Sequence, residues 1–91
     1  MMNDYLTIVN EEVIKCTTNA IDVIIPDGVT SIGVSAFESC YNLKTVTIPN
    51  GVKFIGDRAF RYCENIMIHC YKNSYAEEYA KKNNIPYKIT D

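Results

Sequence analysis

The fold is decided by two stretches that repeat one another, VIIPDGVTSIGVSAFESCYNL at residues 23–43 and VTIPNGVKFIGDRAFRYCENI at residues 46–66. Aligned at a spacing of 23 residues they share 11 identities in 21 positions, where chance would give about one. All four glycines keep this spacing, in the pairs Gly28–Gly51 and Gly33–Gly56. A period in the range of roughly 20–50 residues is typical of solenoids and arrays, so the repeat predicts a stack of similar units.

Each unit reads as a short strand followed by turns and by an irregular segment, from which Val52 and Ile55 are predicted to point inward in the second unit. In the second unit the predicted strand covers residues 43–48, with its valine and isoleucine facing inward and its threonines facing outward. Pro49 ends the strand because it has no N–H to give to a ladder. The glycines are assigned to turns, Asp57 is predicted to cap a helical turn, and Phe60 is predicted to stack on the equivalent Phe37.

The order of these elements is that of a known repeat family. The chain resembles the BspA-type leucine-rich repeat over about residues 20–90, through the pattern Cys40-x-x-Leu43-x-x-Val46-x-Ile48-Pro49-x-x-Val52-x-x-Ile55-Gly56-x-x-Ala59-Phe60-x-x-Cys63. The family is common in bacterial surface proteins. The resemblance implies an α/β solenoid, a right-handed superhelix with a short parallel sheet on its concave face, an N-terminal hairpin cap and a C-terminal helix cap.

The chain is predicted to be one repeat domain, residues 1–91, with a cap at each end. Residues 5–16 read as a hairpin that covers the first unit. The two full units are residues 20–42 and 43–65, and residues 66–91 hold a final strand, a capping helix and a C-terminal strand. Terminal units of this kind are needed because each repeat buries its apolar face only against a neighbour.

The period is predicted to shorten by one residue in the final strand. A strict 23-residue register would turn His69 inward, where an imidazole would need a buried partner that the neighbouring units do not offer. A one-residue deletion instead turns Ile66, Ile68 and Cys70 inward and leaves His69 outside.

The residues after this strand predict a helix and a return. Ser74 and Glu77 form a capping box, which starts a helix over Tyr75–Lys82. Residues 85–89 then return as an extended segment.

Composition and charge exclude some classes of function for this chain. The chain has 91 residues and a formal net charge of -2, so it lacks the basic footprint of a nucleic-acid binder. No apolar run approaches the ~20 residues of a membrane span, and the first residues show no secretory signal. We expect a cytoplasmic protein as the chain stands, whereas the resemblance keeps secretion or the cell surface open if a leader has been removed.

Four cysteines and one histidine are the candidates for a catalytic or metal-binding role. The resemblance implies that Cys40 and Cys63 pack in the core, where free thiols behave as small hydrophobes; a disulfide between them is the alternative. Cys63, His69 and Cys70 match no standard zinc spacing. Adjacent strand residues leave on opposite faces, so His69 and Cys70 cannot form a nucleophilic dyad. We predict no catalytic residue, no metal and no cofactor.

The leading functional hypothesis is a non-enzymatic module that binds a protein partner. Solenoids bind through an extended face on which each unit repeats the same side-chain positions. In this chain the face is predicted to consist of Asp22, Ile24, Thr45, Thr47, Met67 and His69.

Two further hypotheses stand beside it. The alternative function is a structural terminal fragment of an adhesin-like surface protein, with no separate activity. The chain is also expected to self-associate, as a homodimer, through the N-terminal strand edge or the exposed strand face. Neither nucleic acid nor membrane insertion is expected.

Overall fold

Each repeat unit contributes two parallel strands rather than the single strand that the sequence predicts. A computed structural model describes residues 5–90. The second strand of each unit is only two residues long, at the position of Ile32 and Ile55, where an irregular segment was expected. The elements in chain order are β1 (Leu6–Val9), β2 (Glu12–Cys16), β3 (Asp22–Ile24), β4 (Ser31–Ile32), β5 (Thr45–Thr47), β6 (Phe54–Ile55), β7 (Met67–Cys70), α1 (Tyr75–Lys82) and β8 (Tyr87–Ile89).

The strands form two four-stranded sheets. We call the sheet ordered β3-β5-β7-β8 the face sheet, and the sheet ordered β1-β2-β4-β6 the hairpin sheet. All neighbours in the face sheet are parallel, and in the hairpin sheet only β1 runs antiparallel to its neighbour. The predicted repeat architecture with parallel strands and one helix is therefore confirmed, while the right-handed superhelix stays a prediction.

The register confirms the shortened period in the final strand. Val23 pairs with Val46, and Val46 pairs with Ile68 rather than with His69. Ile68 and Cys70 are fully buried, whereas His69 is only half-buried. The extra apolar contact of an inward isoleucine decides the register, because a slip of one residue would exchange the two faces of the strand.

The core is a column of equivalent side chains, one set from each unit. Phe37 is completely buried, Phe60 is 7% exposed, and their rings stack with centroids 5.0 Å apart and planes 21° apart, as predicted. The other buried side chains repeat the same way, as in the sets Val13–Ile32–Ile55, Val23–Val46–Ile68 and Ala20–Leu43–Ile66.

A third side of each unit is made of turns. Residues 34–39 and 57–62 form successive turns that bond to each other, as when the Phe37 N–H donates to the Ala59 carbonyl at 2.7 Å. The predicted helical turn capped by Asp57 is wrong. Arg58 and Tyr62 adopt positive φ angles of 59° and 68°, which interrupt a helix.

Asp57 and Gly56 act through their backbone here. The Asp57 carbonyl, rather than its carboxylate, accepts a hydrogen bond from the Ser35 N–H at 3.0 Å. A Cβ at Gly56 would lie 2.6 Å from the Val34 nitrogen. The glycine therefore permits a close approach between units, and its assignment to a turn alone was wrong.

The predicted N-terminal hairpin is present over β1 and β2. Asn10 and Glu11 form its two-residue turn with φ angles of 51° and 67°, as a type I′ hairpin requires. The hairpin joins only one sheet, because β2 pairs in parallel with β4 and places Val13 beside Ile32. It therefore continues the hairpin sheet and leaves the face sheet to begin at β3.

The C-terminal elements cover the other end of both sheets. The Tyr75 hydroxyl accepts a hydrogen bond of 3.4 Å from the Ile55 N–H at the edge of β6. In the face sheet β8 pairs in parallel with β7. At this end a helix side chain covers the edge of the hairpin sheet, whereas β8 covers β7 and becomes the edge strand of the face sheet.

The cap of α1 follows the predicted capping box with one change. The Glu77 N–H donates to the Ser74 hydroxyl at 3.1 Å, while the Glu77 carboxylate accepts from Asn73 at 2.6 Å rather than from the N-cap residue itself. The hydrogen bond from Asn73, with the Lys81 ammonium 3.6 Å away, lowers the pKa of Glu77. The carboxylate thus stays ionised at the positive end of the helix dipole.

Candidate functional site

The six residues of the predicted face lie in two rows across the face sheet. The strand register puts Asp22, Thr45 and Met67 in the first row. The second row holds Ile24, Thr47 and His69. Between the rows the inward positions are taken by buried valine and isoleucine, so the alternation of the strands brings all six outward side chains to one surface.

The first row is ordered by a hydrogen bond between units. The Thr45 hydroxyl donates to the Asp22 carboxylate at 2.7 Å, and Met67 follows as a half-buried thioether. Thr45 is half-buried while Asp22 is exposed. This row therefore offers a positioned carboxylate at one end and a polarizable apolar group at the other, both of which suit a partner surface.

The second row changes from apolar to cationic. Ile24 is the most exposed large hydrophobic residue described, with 68% of its surface accessible. Lys88 on β8 lies beside His69 and extends the row by one position. Lys88 was not among the face residues predicted from the sequence, although the alternation in residues 85–89 places it outward once a parallel pairing with β7 is assumed.

A shallow depression opens beside the first row, where β3 and β5 begin. Its volume is about 350 Å³. The Lys44 N–H donates to the Ile21 carbonyl at 2.7 Å, which holds two of its walls together. Its floor and rim offer two amides, an ammonium and an exposed tyrosine ring, and the lining residues are Ile21, Tyr41, Asn42, Leu43, Lys44 and Asn65. This depression was not predicted from the sequence.

The family model described as "BspA type Leucine rich repeat region (6 copies)" matches residues 2–88. The chain belongs to this family. The match takes in the hairpin, which the sequence resemblance assigns as a cap outside the repeat pattern of about residues 20–90. The structure gives the reason, because Val13 and Ala20 occupy the core positions of Ile32 and Leu43 and so continue the BspA-type pattern toward the N-terminus.

BspA-type repeats are associated with bacterial surface proteins and are generally non-enzymatic. No curated protein and no solved structure matches this chain. Within residues 5–90, no helix is long and apolar enough to cross a membrane.

The cysteines of this BspA-type chain are free and buried in the core. Cys40 and Cys63 occupy equivalent positions, where the Cys40 thiol donates to the Thr17 carbonyl at 3.7 Å and the Cys63 thiol to the Phe37 carbonyl at 3.0 Å. Burial is the main cause that raises the pKa of Cys16 to about 12 and that of Cys63 to about 11. These thiols are therefore poor nucleophiles at neutral pH, since the thiolate is the reactive form.

The thiol of Cys70 and the imidazole of His69 lie on opposite faces of β7, as the strand alternation predicts. Cys70 is fully buried while its neighbour His69 faces outward. Among residues 5–90 no three histidine, cysteine or acidic side chains form a group that could hold a metal ion.

Under native, non-reducing conditions we expect Cys40 and Cys63 to resist alkylation by iodoacetamide. Both thiols are buried and protonated, so modification requires that the core opens. Mass spectrometry should find them unmodified in the folded protein and alkylated after denaturation without reductant. A crosslink between Cys40 and Cys63 in freshly prepared protein would contradict this and would indicate an oxidising compartment.

Proposed function

We propose that this chain is a non-enzymatic interaction module that binds a protein partner through the outward face of the face sheet, and that its units stack as a right-handed superhelix. The observation that carries the proposal is the pairing register. It sets Asp22, Thr45 and Met67 in one row, and Ile24, Thr47 and His69 in the other. Unlike the buried side of the same strands, these positions contribute little to the core and differ in chemistry from unit to unit.

The chemistry of the rows favours a protein surface over a small molecule. Strands lie about 4.8 Å apart, so the rows form a shallow array of side chains rather than an enclosed pocket. Ile24 supplies an exposed apolar anchor, and Thr45 positions the Asp22 carboxylate. An apolar contact flanked by ordered polar groups is the usual anatomy of a protein interface.

The size of the face predicts modest affinity. Three repeat strands and β8 span far less than the ~800 Å² per partner of a standard interface. We propose that the depression beside Tyr41 and Lys44 adds to the contact by accepting a side chain of the partner. Because the depression lies directly beside Asp22, one partner segment can cover both.

The experiment begins with capture of the partner by crosslinking from both the cytoplasmic and the surface fractions of the host cell. The partner that is identified is then purified and titrated against the parent chain. In the test variant Ile24→Ser and Thr47→Arg change the face without touching the core. We expect it to bind at least about tenfold more weakly, which corresponds to ~1.4 kcal/mol.

The matched control is Phe54→Ser, which changes an exposed residue of the hairpin sheet. Phe54 is 54% exposed, so the control alters as much apolar surface on the other side of the molecule. It should bind like the parent. Equal weakening in both variants, or in neither, would overturn the proposed face.

A further inference from the structure

The outer edge of the hairpin sheet is an uncharged strand. β1 is the first strand of its sheet and consists of Leu6, Thr7, Ile8 and Val9. Ile8 is 38% and Val9 is 51% exposed. Edge strands usually carry charges or proline that discourage pairing with another chain, and β1 has neither.

The backbone of β1 shows which groups are available at this edge. The Thr17 N–H donates to the Tyr5 carbonyl at 2.9 Å, so Tyr5 directs its backbone groups toward β2. These directions alternate along an antiparallel strand. Thr7 and Val9 therefore also face β2, while Leu6 and Ile8 direct their N–H and C=O groups away from the sheet.

The bulge in the hairpin does not interrupt this alternation. The register shifts between Thr7 and Ile8, and the extra residue, Ile14, lies on β2. β1 itself carries no insertion, so its outer edge stays regular.

We propose that two copies of this chain pair through β1 in an antiparallel register, with a two-fold axis at Thr7. Leu6 then lies opposite Ile8 of the second copy, and these are the two residues whose backbone groups point outward. Tyr5 lies opposite Val9 of the second copy. Among the two-fold registers that match outward-facing backbone groups, this one pairs both such residues within β1. It also sets the aromatic Tyr5 opposite the β-branched Val9.

The other strand edges fit a second copy less well. The edge strand β8 carries Lys88, the opposite edge strand β3 carries Asp22, and the β6 edge is covered by Tyr75. Pairing β8 of one copy with β3 of the next would be head-to-tail and open-ended, whereas the β1 pair is two-fold and closes at a dimer. This dimer is independent of the partner-binding face proposed above, because it uses the other sheet.

The test uses Thr7, whose exposed side chain lies beside Lys15 in the parent chain. Thr7→Glu gains a cross-strand partner in Lys15 within each chain, so the folded monomer is retained. In the dimer the two carboxylates would face each other across the axis, and like charges directly opposite destabilise a strand pair. Sedimentation velocity should show a concentration-dependent dimer of the parent, with association weakened by about two- to fivefold in Thr7→Glu. A parent that stays monomeric at millimolar concentration, or a variant that dimerises equally well, overturns the proposal.

A crosslink tests the register itself. Residues in a pair that exchanges no hydrogen bonds have Cα atoms about 4.5 Å apart, within the range that a disulfide spans. Thr7→Cys should therefore form a covalent dimer under mild oxidation, and the buried native thiols do not compete. Thr30 is likewise exposed and lies outside β1, so Thr30→Cys is the matched control. Crosslinking of the control as fast as Thr7→Cys overturns the β1 register.

Discussion

Replacement of Phe60 by Ala should lower the free energy of unfolding by about 3–5 kcal/mol. The Phe60 ring stacks on Phe37 at 5.0 Å and tilts against Tyr79 at 6.1 Å. It therefore joins the second repeat to both the first repeat and the capping helix. Removing it leaves a cavity at the point where three elements meet, and a domain with a total stability of roughly 5–15 kcal/mol can lose much of its margin this way.

The matched control for this prediction is Phe54→Ala, in the strand that precedes the same turn. Phe54 is 54% exposed and projects outward from β6, so its removal leaves no cavity and should cost far less. Urea denaturation followed by circular dichroism measures both variants. The inward role of Phe60 is contradicted if Phe60→Ala unfolds at nearly the same urea concentration as the parent.

The features that could be predicted from the sequence are those that repeat. The pairs Phe37–Phe60 and Val23–Val46 follow from apolar residues that recur at a fixed period. The shifted register at Ile68 departs from that period and followed instead from strand alternation and from the cost of burying His69. A residue at a repeated position packs against the equivalent residue of the next unit. The repeat therefore predicts which core residues are in contact. The six residues of the face were placed by the same logic, although their binding role remains a proposal.

Features without a counterpart in the next unit could not be predicted in this way. Lys88 joins the second row through a β7–β8 pairing that lies outside the 23-residue period.

The turn at Asp57 is a different case, because it does repeat. Asp57 was assigned a cap because its side chain suits one, but positive φ angles at Arg58 and Tyr62, repeated at Ser35 and Ser39, turn both segments away from a helix. Serine, arginine and tyrosine are not residue types that favour the left-handed region, so no residue in these segments signals the turn.

Two glycines illustrate a feature that could be predicted from the sequence and one that could not. Gly28 has a φ of +98° and serves a turn, as expected. Gly56 instead lies where the backbone of Val34 passes so closely that no side chain fits. The spacing of the glycines was visible in the sequence, but the two physical reasons for it became distinguishable only in three dimensions.

Deletion of residues 74–91 should convert the soluble protein into open-ended aggregates. The deletion removes the Tyr75 hydroxyl from the β6 edge and the β8 strand from the β7 edge. It also exposes Phe60, which Tyr79 covers in the intact chain. Both sheets would then end in unpaired N–H and C=O groups beside apolar surface, which template the addition of further strands. Light scattering should show particles that grow with time and concentration.

Two observations separate this outcome from simple loss of stability and from the proposed β1 dimer. Tyr75→Phe removes only the hydroxyl that accepts from Ile55, which should cost about 1 kcal/mol and leave the protein soluble. Adding Thr7→Glu to the deletion blocks the β1 edge but not the exposed β6 and β7 edges, so aggregation should persist in the combined variant. Growth from those edges has no two-fold axis to close it and therefore continues without limit. A fragment of residues 1–73 that stays folded and soluble would show that α1 and β8 are dispensable as a cap.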